Sequence, residues 1–346
     1  MADLDVVFLT DGGQDVAAVA SRLFAFLRAA TTSLDIAVYD AHFDDGTGDE
    51  LIRTLNEAEG RGVRVRAVYN DVHERPVPIP PPPHDPSLLQ QLAHAVPAKP
   101  IPGVPDLMHH KYVVRDGAAV WTGSTNWTTD AWTRMENLIV TVQSADLAAA
   151  YTEDFEQLWT KRHVARTGTF DDRPARLDGG ATVRALFSPG RGHKMSQLVA
   201  TRIGQASARV RICSPVLTST PILGTLAELV DEDGVDLAIT VDGPQMVQVL
   251  AQWRADGRAA WKAPLYEKIA ASGKLAAKPS TPYAPGRVHD YMHAKVAVCD
   301  DWTLTGSYNL SHSGELNAEN VLDIRDAAFA DRCAAFCDEV HARYAR

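Results

Sequence analysis

Met108-His109-His110-Lys111-Tyr112-Val113-Val114-Arg115-Asp116 and Met292-His293-Ala294-Lys295-Val296-Ala297-Val298-Cys299-Asp300 are two copies of one spaced pattern, His-x-Lys-x4-Asp behind a methionine. Each runs on into Gly-Ser-x-Asn, at Gly123-Ser124-Thr125-Asn126 and Gly306-Ser307-Tyr308-Asn309, and then to a Glu-Asn pair, Glu136-Asn137 and Glu319-Asn320. One such match could be chance. Two, with the same downstream residues in the same order, mark an internal repeat.

In an extended strand, residues two apart share a face. His109 therefore projects with Lys111 and His293 with Lys295, while His110 points to the opposite face in a structural role. The valines that follow bury the strand, so the polar pair stands on an apolar base. A neutral imidazole beside a fixed cation suits attack on a phosphorus whose non-bridging oxygens are negative. Gly-Ser-x-Asn puts small donors where the backbone turns sharply, placed to hold phosphate oxygens. Paired histidines and carboxylates also ligate metals, but an ammonium two residues away repels a cation. No metal and no other cofactor is expected.

The halves echo each other beyond the motif. Residues 4–9 and 182–187 read as opening strands, 16–30 and 195–206 as amphipathic helices, and 34–39 and 210–213 as strands. Helices near 49–59 and 221–230 lead to strands at 63–69 and 235–241, and amphipathic helices at 145–159 and 327–344 close the two halves. This is an α/β plan with a mostly parallel or mixed sheet flanked by helices in each half. The polar stretch 160–180, with Pro174 and Gly179-Gly180, reads as the join. The expected division is residues 1–165, a linker at 166–180, and 181–346. Two stretches do not repeat cleanly: 75–105 is proline-rich and expected to stay extended, and 247–291 is its counterpart. Both run into a motif strand, where loops covering a site are expected.

At these residues the chain resembles the phospholipase D superfamily, named for its His-Lys-Asp motif. The resemblance covers both halves and implies two pseudo-symmetric α/β units with one shared active site at their interface. It implies a metal-independent phosphodiesterase working through a phosphohistidine. His109 is then the nucleophile and His293 the general acid, although pseudo-symmetry leaves the reverse open. Lys111, Lys295, Asn126 and Asn309 would stabilise charge on the phosphorus oxygens, with Ser124 and Ser307 adding hydrogen bonds. Glu136 and Glu319 would hold the ring nitrogen of each histidine remote from phosphorus, and Asp116 and Asp300 would orient the motif strands.

The chain has 346 residues, 45% of them apolar, enough for two domains and a sizeable core. Its net charge of -10 argues against a broad surface for duplex DNA. Four cysteines read as buried thiols of a reducing compartment, the N-terminus lacks the pattern of a secretory signal, and no run reaches membrane-span length; the expected location is cytoplasmic, without stable membrane insertion. One chain carries both motifs, so a monomer suffices for one site.

Residues 253–287 reverse the charge. Arg254, Arg258, Lys262, Lys268, Lys274, Lys278 and Arg287 stand against Asp256 and Glu267, seven minus two, or +5, with Trp253, Trp261, Tyr266 and Tyr283 interleaved. Such a mixture stacks bases and holds phosphates or sits at lipid headgroups, and Arg254, Arg258, Lys262, Lys268 and Trp261 are candidate substrate contacts. Gly123-Ser124-Thr125-Asn126-Trp127-Thr128 resembles the nuclease-type branch of the superfamily. The expected substrate is a phosphodiester, leaning to single-stranded nucleic acid, with phospholipid headgroups as the alternative and a non-catalytic phosphate-binding scaffold as the third.

Overall fold

The computed structural model describes residues 3–71, 87–170, 173–282, 284 and 287–345. A seven-stranded sheet in the first half runs, in spatial order, Leu4–Leu9, Asn137–Gln143, Ala119–Gly123, Lys111–Arg115, Ser33–Val38, Arg64–Asn70, Ala98–Ile101. The second half repeats that order with Thr182–Ser188, Glu319–Arg325, Trp302–Gly306, Val296–Cys299, Arg209–Ser214, Asp236–Asp242 and Leu275–Lys278, and adds the short edge strand Ala175–Arg176. In each sheet the two pairs at the Ala98–Ile101 or Leu275–Lys278 end are parallel and the other pairs antiparallel, so the sheets are mixed. Beyond these, Ala41–His42 pairs with Trp127–Thr128.

Alternation along the strands sets the layers. Leu34, Ile36 and Val38 of one strand pack outward with Leu23 and Leu27 of helix Val16–Arg28 and Leu51 and Leu55 of helix Thr47–Gly60. Ala37 turns inward, into a core shared by both halves. There the closing helices Ala145–Lys161 and Ala327–Tyr344 lie between the sheets, with Tyr151 and Phe155 of one and Phe329, Cys333 and Val340 of the other beside Val114, Phe187 and Val296. Phe8 stacks on Phe336 at 4.8 Å across the halves. The outer layer of the second half mirrors the first, with Met195, Val199, Leu223 and Leu226 on Ile212 and Ile239.

Among the described residues, the two stretches that broke the repeat carry helices and an edge strand. Leu88, Leu89 and Leu92 bury one face of helix Ser87–Ala95, and the chain then forms strand Ala98–Ile101 at the sheet edge. In the second half, helices Gly243–Ala255 and Lys262–Ala271 precede strand Leu275–Lys278. Each stretch supplies the parallel edge strand of its sheet, Ala98–Ile101 pairing with Arg64–Asn70 and Leu275–Lys278 with Asp236–Asp242. The consecutive prolines at 80–83 and Tyr283 lie outside the described residues. Cys213, Cys299, Cys333 and Cys337 are buried free thiols. Among the described residues no helix is long and apolar enough to cross a membrane.

Candidate active site

The two motif segments meet across the interface by backbone pairing. His109 N–H donates to the Ala318 carbonyl at 2.9 Å and Ala318 N–H to that of Leu107, while His293 N–H donates to the Glu136 carbonyl at 3.2 Å. Isolated parallel bridges, Met108 with Ala318 and Met292 with Glu136, complete the stitching. Each half therefore positions the other's histidine. Just before the motifs, the Asn70 amide oxygen accepts from Met108 N–H and the Asp242 carboxylate from Met292 N–H, both at 3.0 Å, so equivalent strand ends pin each entry.

His109 Nδ1 lies 2.8 Å from Glu319 Oε2, a carboxylate of the opposite half that is wholly buried. Its ring stands edge-on to Tyr39 at 4.7 Å, and Lys111 Nζ sits 4.8 Å over that tyrosine. Lys111 and Lys295 curl back, Nζ donating to the His109 carbonyl at 2.5 Å and the His293 carbonyl at 2.6 Å; both are 1% exposed. His110 turns to the other face, its Nε2 3.1 Å from the buried Asp154 carboxylate, to which the Tyr112 hydroxyl donates.

Burial pushes both histidines well below their ordinary range. Lys111 and Lys295 add to this at each ring, and His109 acts on His293 in the same sense. Burial brings Lys111 down to about 7, and burial together with Lys111 holds Lys295 well below its usual value. Glu319 moves the other way, raised by burial to about 7 against the pull of Lys111. Four basic groups from two halves thus act on one another in a largely buried space, with the Glu319 and Asp40 carboxylates as opposing charges at Lys111. Such an arrangement favours an anion, which would offset the repulsion.

Gly123 and Gly306 explain the turns. At φ of 146° and 149°, a Cβ would stand 2.2 Å from the Leu138 carbonyl oxygen and 2.3 Å from that of Asn320, so glycine alone fits. The following Ser124 and Ser307 hydroxyls accept from Leu138 N–H and Asn320 N–H. Asn126 and Asn309 each bury an amide oxygen with no hydrogen-bond partner among the described residues. Asp116 and Asp300 lie at the far ends of the motif strands with φ of 56° and 51°. Their carboxylates accept backbone N–H groups of Thr31, Thr32 and Ser33, and of Ser207, Ala208 and Arg209. They anchor the strands and do not face the imidazoles.

One expectation needs correction. Glu136 does not stand behind His293: its carboxylate bonds Lys278 Nζ at 2.7 Å and the Tyr344 hydroxyl at 2.6 Å, and His293 Nδ1 meets Asn137 Oδ1 at 3.0 Å. Strand register gives the reason. Gly123 pairs with Ile139 but Gly306 with Val321, separations of 16 and 15 residues, so the first half carries one residue more before its strand. Asn137 is therefore the spatial counterpart of Glu319, and Glu136 that of Ala318. A one-residue shift exchanges the faces of a strand. Tyr39, Asn137, Lys278 and Tyr344 are not among the site residues expected from the sequence; Asn126 to Glu136 and Asn309 to Glu319 are both 10 residues, so only the strand pairing points to Asn137.

Among the described residues of the basic stretch, most charges have local partners, with Arg258 and Arg287 exposed. Arg254 pairs with Glu267 at 2.7 Å, Lys268 with Asp231 at 2.5 Å, Lys262 donates to the Thr218 carbonyl, and Lys278 is buried on Glu136. Trp253 and Tyr266 are core residues, while Arg258 and Trp261 remain exposed.

Residues 23–159 and 199–340 match the family described as cardiolipin synthase, PLD-like domain. Mitochondrial cardiolipin hydrolase of Xenopus laevis is 32% identical over 155 residues, 44% of this chain and 67% of the relative. The human protein of that name is 31% identical over 144 residues, 40% of this chain and 50% of its own length, so the chain spans half to two thirds of these relatives. The crystal structure of phosphatidylserine synthase from Haemophilus influenzae Rd KW20 shares the fold with a TM-score of 0.67 at 15% identity, over 99% of this chain and 86% of that one. With the family matched in both halves, the chain belongs to the phospholipase D superfamily of phosphodiesterases, in the family of the cardiolipin synthase, PLD-like domain.

Proposed function

We propose that this protein cleaves or transfers a phosphodiester of a phospholipid headgroup, through a phosphohistidine formed at one site between the halves. The observation that carries the reaction class is the pairing of two His–Lys sets across the interface, buried but for the partly exposed His293, each histidine backed at Nδ1 by an acceptor from the opposite half. With Nδ1–H committed to that acceptor, Nε2 is left for phosphorus or for the leaving oxygen. One Nε2 attacks phosphorus as the ester P–O bond breaks, and the other imidazole, protonated, gives its proton to the departing oxygen. Water then attacks, the P–N bond breaks, and the second imidazole takes the water's proton. An alcohol entering instead gives transfer.

Lys111 and Lys295, with Asn126 and Asn309, would steady the phosphorus oxygens as charge builds. The phospholipid class is favoured by the relatives, named as cardiolipin hydrolases, and by the family description. The nucleic-acid leaning has two grounds, the resemblance of Gly123–Thr128 to the nuclease-type branch and the basic aromatic stretch; several charges of the latter have local partners, and the relatives' names weigh against the former, so the lipid reading is preferred. The test is an assay panel of cardiolipin, phosphatidylglycerol and phosphatidylcholine vesicles beside single-stranded DNA and RNA, with product phosphatidic acid measured. Release of phosphatidic acid or a headgroup-exchanged lipid is expected; cleavage of nucleic acid alone would overturn the substrate class.

A further inference from the structure

The two copies are alike in sequence and unlike in space. His109 Nδ1 faces a carboxylate, Glu319, at 2.8 Å, whereas His293 Nδ1 faces an amide oxygen, Asn137, at 3.0 Å. The amide orientation is fixed: Asn137 Nδ2 donates to the Ala131 carbonyl at 3.1 Å, and Ser124 Oγ donates to the same Oδ1 at 2.7 Å. Glu136, next in the chain, faces away from His293 toward Lys278, which also lies 3.3 Å from Asp11 and 3.4 Å from the Arg134 carbonyl, and toward Tyr344.

We propose that Asn137 is a positioning residue that keeps a carboxylate off His293, with Lys278 and Tyr344 holding Glu136 aside, so that His109 enters the reaction as nucleophile and His293 as proton donor. This rests on the phosphodiesterase reading above. Both acceptors orient the ring by taking Nδ1–H, but only a carboxylate also stabilises positive charge on it. When His109 Nε2 bonds to phosphorus the ring becomes cationic, and Glu319 offsets that charge. A proton donor needs the reverse, since a ring backed by a neutral amide is the weaker base and releases its proton more readily to the leaving oxygen. The charged and titratable groups acting on His293, namely Lys295, Lys111 and His109, all weaken its hold on a proton, and the phosphodiester anion is what would restore it.

The test uses the full chain and two soluble diesters, bis(4-nitrophenyl) phosphate, whose leaving group needs little protonation, and dihexanoyl-phosphatidylcholine, whose alkoxide needs it. His109→Ala is expected to abolish most turnover of both. His293→Ala should cost about 100- to 10,000-fold on the choline ester, the usual worth of a general acid, but less than about 10-fold on the nitrophenyl ester. In pH profiles of kcat/KM, Asn137→Asp should move the alkaline limb up by roughly one unit, as an added carboxylate partner does. Glu319→Gln should move the acid limb down, and Glu136→Gln should leave both limbs in place whatever it does to their height.

Reversed leaving-group behaviour, or Glu136→Gln moving a limb as far as Glu319→Gln, would overturn the assignment. Should Asn137→Asp not fold, 15N NMR titration of the unmutated protein decides the same point, with His109 expected to hold its proton to higher pH than His293; the opposite order refutes it. Cleavage of neither diester, nor of any lipid in the panel above, would instead overturn the phosphodiesterase reading, and the NMR order would still test the inequality of the rings.

Discussion

Replacing Glu319 by glutamine should slow the enzyme and stabilise the fold, and the two effects have one cause. The carboxylate is wholly buried, 2.8 Å from His109 Nδ1, with Asn317 Nδ2 donating to its other oxygen at 3.2 Å. Glutamine keeps the shape and removes the charge. A hydrogen bond to a charged group contributes about 1.5–3 kcal/mol, so kcat should fall roughly 10- to 150-fold. Stability moves oppositely. Burial raises the carboxyl from its ordinary 4.5 to about 7, so between those values the folded state binds the proton that the unfolded state has released, and stability falls as pH rises through that window. At pH 8 the ionised carboxylate costs the fold at most about 3 kcal/mol, less whatever Lys111 loses with its counter-charge. Calorimetric unfolding of both proteins from pH 4 to pH 8 should show the glutamine variant gaining on the parent from about pH 4.5 to pH 7 and level beyond. Unchanged kcat, or a stability difference flat with pH, would refute the reasoning.

Lys111→Ala and Lys295→Ala should each lose on the order of a hundredfold in kcat/KM, as for other removed donors to a charged transition state; losses confined to KM would argue for ground-state binding only. Asp116→Ala, which strips the acceptor from Thr31, Thr32 and Ser33 N–H, should lower unfolding stability by about 1–3 kcal/mol, measured by urea titration, with the pH limbs of turnover unmoved. Because Lys111 and Lys295 would repel a cation beside the histidines, turnover should persist in EDTA, and an activity restored only by zinc or magnesium would contradict the mechanism. Neutralising Arg254 and Lys268, which pair with Glu267 and Asp231, should change lipid turnover less than about twofold, as for exposed pairs of small energetic worth.

The repeated His-x-Lys-x4-Asp segments, their glycine turns and the strand and helix runs around them were legible in the chain because each depends on local order. A continuous apolar run buries both faces of the motif strands, at Val113 and Val114 and from Val296 to Val298, helical spacing buries Leu23 and Leu55, and Gly123 and Gly306 are required by the carbonyl each approaches. Periodicity likewise separated His110 from His109 by face. The edge strands Ala98–Ile101 and Leu275–Lys278 were not legible, since short segments pair only where a neighbouring strand offers its edge.

The histidine partners were decided by tertiary structure alone. Read along the chain, Glu136 and Glu319 are equivalents, each 12 residues beyond the motif serine, Ser124 or Ser307. Hydrogen-bond register makes Asn137 the counterpart of Glu319, because one extra residue before strand Asn137–Gln143 turns every following side chain to the other face. Sequence spacing counts residues, whereas a site is built by which of them the sheet turns inward, and that is fixed only when distant strands pair.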